Sequence, residues 1–94
     1  VLGCIKSDNR ILFIIRADRA KMPLIKAQVY KLFRGKAALR VENTTEGSVE
    51  LIYELTQKML RRAEKSENNI SDSIYRIGGV EYVNTVMQND EVSN

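Results

Sequence analysis

Ninety-four residues, 44% hydrophobic and 29% charged, bound this chain to one domain with one core and exclude a disordered tail. No His is present and Cys4 is the only cysteine, so an internal disulfide and a C-x-x-C redox or metal motif are both excluded. Net charge is +3 but unevenly spread. Residues 1–40 hold ten Lys/Arg against two Asp, a net +8, and residues 41–94 hold five Lys/Arg against ten Asp/Glu, a net −5. Such an asymmetry predicts a basic face aimed at anionic lipid, nucleic acid or the acidic half of another copy, or simply a solvated surface.

The chain opens on Val1-Leu-Gly-Cys-Ile5, then Lys6 and the polar Ser7-Asp-Asn9. Residues 1–9 read as a linker from a preceding, membrane-embedded segment; the alternative is a complete chain after tag removal. No apolar run approaches the ~20 residues a membrane span needs. The segment Arg10-Ile-Leu-Phe-Ile-Ile-Arg-Ala17 is apolar at both alternations, which predicts a central strand covered at least partly on both sides. Asp18 is placed to cap the helix that follows to Phe33, with Pro23 among its early turns. Met22, Ile25, Val29 and Leu32 or Phe33 form its apolar stripe, and Gly35 stands where a left-handed cap is expected.

A second strand over Ala37 to Glu42 sets Ala37, Leu39 and Val41 against Ala38, Arg40 and Glu42. The turn Asn43–Gly47 leads to a third strand whose Val49, Leu51, Tyr53 and Leu55 oppose Glu50, Ile52 and Glu54. Asn69, Ile70 and Asp72 signal a helix start, with Ile70, Ile74 and Ile77 on one face. The second helix is therefore expected to begin between Arg61 and Asn69 and to end at Ile77. The last strand runs from Val80 to Met87, and residues 89–94 are a polar tail.

This order, βαββαβ over residues 10–88, predicts an α+β, ferredoxin-like two-layer sandwich: a four-stranded antiparallel sheet with two helices on one face. Strands one and three are central, and Ile11, Phe13, Ile15, Leu51, Tyr53 and Leu55 meet Ile25, Val29, Ile70 and Ile74 in the core. The other sheet face then shows Leu12, Ile14, Ile52 and Val86 within a rim of Arg10, Arg16, Arg40, Glu50 and Glu54. An apolar centre with a charged rim is the anatomy of an interface. The interface candidates are Leu12, Ile14, Arg16, Arg40, Glu50, Ile52, Glu54 and Val86.

No catalytic, cofactor or metal residues emerge. Glu50 and Glu54 share a strand face about 13 Å apart, wide for paired acid–base work. Cys4 reads as an inert thiol. RNA recognition on this fold needs aromatics on the central strands, where Leu12, Ile14 and Ile52 stand instead, which argues against nucleic acid. Lys58, Arg61, Arg62 and Lys65 read as a solvated face or as a lipid- or acid-facing patch.

Three stretches carry a family resemblance: Leu12-Phe-Ile-Ile-Arg-Ala-Asp18, the hairpin from Arg40 to Leu55, and Ile77-Gly-Gly-Val-Glu-Tyr-Val-Asn-Thr-Val86. Together they resemble the cytosolic C-terminal, ACT-like domain of bacterial MgtC/SapB-like proteins and of a related uncharacterised family of multi-helix membrane proteins. The resemblance implies a ferredoxin-like domain on the cytoplasmic side of a membrane, following membrane helices. ACT domains often bind effectors through an acidic residue followed by Pro-Gly; here Asp18 is present but Pro23 precedes Leu24, so no ligand residues are carried over. The function expected is a non-catalytic regulatory or interaction domain that forms a homo-oligomer or docks on its parent membrane protein. An anionic lipid surface is a further partner for the basic N-terminal half. The alternatives are an ACT-type small-ligand sensor of an enzyme or regulator, and a small dimeric ferredoxin-like enzyme.

Overall fold

A computed structural model of the chain describes residues 9–67 and 69–88. The expected linker up to Asp8, Cys4 within it, and the tail 89–94 lie outside the described residues. Along the chain run β1 (Arg10–Asp18), a 3-10 turn (Arg19–Lys21), α1 (Met22–Phe33), β2 (Ala38–Thr44), β3 (Ser48–Thr56), α2 (Gln57–Ser66), α3 (Ile70–Tyr75) and β4 (Val80–Gln88). The sheet order is β2-β3-β1-β4, with every neighbouring pair antiparallel. Strands one and three are thus central, as the ferredoxin-like plan requires.

The central pair sets the faces. Ile11 lies opposite Leu55, Phe13 opposite Tyr53, Ile15 opposite Leu51 and Ala17 opposite Val49, all buried. Their side chains join Ile25, Val29 and Phe33 of α1, Ala63 of α2, and Ile70 and Ile74 of α3 in one core. Phe13 and Phe33 meet edge to face, ring centres 5.7 Å apart at 74°, the geometry that aromatic quadrupoles favour. The ten residues expected in the core from strand and helix periodicity are all buried there.

Four local expectations are corrected. The Asp18 carboxylate accepts from the Ala20 N–H at 3.1 Å and so caps the 3-10 turn rather than α1, whose own cap, Lys21, makes no side-chain bond. α1 ends on two left-handed residues, Arg34 (φ 56°) and Gly35 (φ 76°), not on the glycine alone. The second helix starts directly after β3, at Gln57, because the Thr56 hydroxyl accepts the Met59 N–H at 3.2 Å and serves as both last strand residue and N-cap. That helix is also broken in two. Glu67 is extended (φ −130°, ψ 115°), and the Asn69 side chain caps a fresh start by accepting the Asp72 N–H at 3.2 Å. Among the described residues three α-helices, not two, therefore cover the sheet.

The hairpin differs in register. β2 pairs Leu39 with Tyr53 and then Val41 with Ile52, so Arg40 is an extra, bulged residue. A bulge flips every later side chain to the other face relative to strict alternation. Leu39 and Val41, expected on one side, point to opposite sides.

Candidate functional site

The face of the sheet opposite the helices is built by three cross-strand rows. Leu12 lies between Glu54 and Val86, Ile14 between Ile52 and Asn84, and Arg16 between Glu50 and Tyr82. The bulge adds Val41 beside Ile52. Leu12, Ile14 and Ile52 are half-buried by their neighbours, while Val41, Tyr82 and Val86 are 37%, 38% and 40% exposed. All eight candidates named from sequence, including Arg40 through its contact with Glu54, lie on this one face. Val41 and Tyr82 were missed. Val41 is legible only once the bulge is known, and Tyr82 only once the last strand's register is fixed.

The rim is a set of intrachain charge pairs. Glu54 is held on both oxygens: Arg40 Nε donates to Oε1 at 2.8 Å, and Arg10 Nε lies 3.2 Å from Oε2. Arg16 Nε pairs with Glu81 at 3.2 Å, and its Nη2 donates to Ser48 Oγ at 3.3 Å. The Tyr82 hydroxyl donates to Glu50 Oε2 at 2.7 Å. That hydrogen bond, which holds the proton on the phenol, is the main reason the Tyr82 hydroxyl ionises above the usual tyrosine value.

Glu81, like Arg40, is the extra residue of a bulge: β4 pairs Tyr82 with Arg16 and Val80 with Ala17. Each edge strand thus uses one bulge to turn a charged side chain toward an opposite charge on a central strand. The arrangement also blunts both edges against strand addition. The ion pairs Arg10–Glu54, Arg40–Glu54, Arg16–Glu81 and Lys26–Glu42 all join the basic first half of the chain to its acidic second half. Part of the +8/−5 asymmetry is therefore internal complementarity. Chemically the face offers a flat apolar centre within a neutralised, hydrogen-bonded frame, an arrangement suited to contact with another surface.

Among the described residues no helix is long and apolar enough to cross a membrane. No family model matches the chain, and no curated protein matches it in sequence. The chain is similar in structure to the solution structure of the C-terminal domain of the MgtC protein from Mycobacterium tuberculosis, with a TM-score of 0.60 over 98% of this chain and 100% of that one. Identity across the match is 10%, so the likeness is one of fold. This chain has the ferredoxin-like α+β fold of an MgtC C-terminal domain.

Proposed function

We propose that this chain is a non-catalytic regulatory or interaction domain of a membrane protein, placed on the cytoplasmic side, and that it self-associates through its open sheet face. The observation that carries the reading is the uncovered centre formed by Leu12, Ile14, Ile52, Val41 and Val86 on adjacent strands. Structural similarity along the length of an MgtC C-terminal domain supports the membrane-protein part. The non-catalytic part rests on the face's carboxylates, Glu50 and Glu54, which are engaged by Tyr82, Arg10 and Arg40.

A two-fold axis over Ile14 sets the patch against itself. Burying about 400 Å² of apolar surface at roughly 25 cal/mol per Å² contributes about 10 kcal/mol before association costs. Those costs are of comparable size, which gives a micromolar dimer rather than an obligate one. Because Glu54 and Glu50 already have partners within the chain, the contact is driven by the apolar centre, with the rim neutral. Sedimentation equilibrium tests this: the unmodified chain shows a concentration-dependent dimer and Ile14→Asp a folded monomer. A strictly monomeric unmodified chain at high concentration overturns it.

A further inference from the structure

We propose that the cavity between the C-terminal end of α1 and the length of α2 binds a phosphate monoester that carries a short apolar group. The cavity lies on the helical layer, away from the open sheet face, so this inference stands whether or not the chain dimerises.

Its volume is about 230 Å³, and Arg34, Lys36, Lys58 and Arg62 surround it with no carboxylate in the lining. Among the described residues none of these four forms an ion pair, whereas Arg10, Arg16, Lys26 and Arg40 each do. Four unneutralised cations around one hollow repel one another and concentrate anions there. The apolar side comes from Phe33 and Ala63, which are buried, with the half-buried Met59 as an adaptable filler.

Arg34 is the C-terminal cap of α1. It holds a left-handed backbone (φ 56°, ψ 36°) that a non-glycine residue adopts at a cost. Such a backbone is a common way for a helix to end, and from there Arg34 lines the cavity. The carbonyls at the end of α1, which oppose an anion, are partly occupied: Gly35 N–H donates to Tyr30 O at 2.9 Å and Lys36 N–H to Phe33 O at 3.0 Å. Thr56, Lys58 and Met59 at the start of α2 line the same hollow.

Charge and size select the ligand class. A phosphate monoester carries about −1.5 to −2 at neutral pH and matches four cations better than a single carboxylate, and guanidinium forks suit its oxygens. The volume falls below the 300–1,000 Å³ of a typical drug-sized pocket, which leaves room for the head and a short apolar group. Such a head comes either from a soluble aryl or alkyl phosphate or from phosphatidic acid in a bilayer.

Amide NMR titration of the 94-residue chain with phenyl phosphate and with inorganic phosphate, beside sedimentation with phosphatidic acid/phosphatidylcholine vesicles, tests this. Phenyl phosphate is expected to shift amides in residues 32–36 and 56–63 saturably, and to bind about tenfold tighter than inorganic phosphate because the ring leaves water. Arg34→Gly, at a position that favours glycine, keeps the fold and weakens binding several-fold. Lys58→Glu with Arg62→Glu weakens it about tenfold or more, and Arg76→Glu, outside the cavity, does not. Vesicle binding that phenyl phosphate displaces and Arg34→Gly weakens identifies the lipid source; saturable phenyl phosphate binding without vesicle binding identifies the soluble one. Equal affinity for the two soluble probes, shifts spread over all surface lysines, no saturable binding of any probe, or unchanged binding in Arg34→Gly overturns the proposal.

Discussion

Tyr53 lies on the helix-facing side of β3, 6% exposed, and both burial and the nearby Glu42 carboxylate raise its phenol above the usual value of 10.0. A raised folded-state value means the folded chain holds the proton after the unfolded chain has lost it. The stabilisation is complete below the unfolded value and is lost as pH climbs through the folded one. Urea midpoints measured at about pH 9 and about pH 11 should therefore fall, and Tyr53→Phe should remove part of that fall. Tyr53→Ala removes the ring from the core and should cost about 3 kcal/mol. At the end of α1 the backbone decides instead. Gly35 has φ +76°, and a Cβ there would stand 2.7 Å from Tyr30 Cε2. Because the Tyr30 ring is 69% exposed it can swing aside, so Gly35→Ala should cost about 1 kcal/mol, mostly for its left-handed backbone. Arg34→Gly should change stability the other way by a similar amount, read from the same denaturation curves.

Among the elements, the strands were the most legible in sequence, because each central strand buries one alternation of large apolar residues and the hairpin turn ends in glycine. Leu12, Ile14 and Ile52 could be assigned to the open face on that basis alone. Two things were not legible. The handover from β3 to α2 has no Gly, Pro or Asn between them, and Gln57-Lys-Met-Leu-Arg-Arg62 shows only two apolar residues. The bulges at Arg40 and Glu81 are properties of pairing between strands, which no single segment encodes. Hence strict alternation sets Val41 on the wrong side, and the pairs Arg40–Glu54 and Arg16–Glu81 leave no signature in the sequence. α2 buries only Ala63 fully, and its start rests on one hydroxyl. Thr56→Ala should cost about 1 kcal/mol, and amides of α2 should exchange with deuterium ahead of those of β1 and β3.

At the scale of the whole molecule, the two sides of the sheet differ in cover. The helices close the core over one side of β1 and β3, and Ile52→Thr on the other side should leave the monomer's unfolding transition nearly unchanged. The charge asymmetry is offset partly inside the chain, since each of the four ion pairs among the described residues crosses from the basic half to the acidic half. Surface pairs of this kind contribute about 0–1 kcal/mol each, so their main effect here is to frame the face and neutralise it. What remains at its centre is apolar.

The most direct test of that self-association is isotope-filtered NMR on a mixture of labelled and unlabelled chain at high concentration. Intermolecular contacts are predicted between the methyl groups of Leu12, Ile14 and Ile52 in one copy and those of Val41, Ile52 and Val86 in the other, and Ile14→Asp should abolish them. Intermolecular contacts confined to the helices, or none at all, would contradict an open sheet face that pairs with itself.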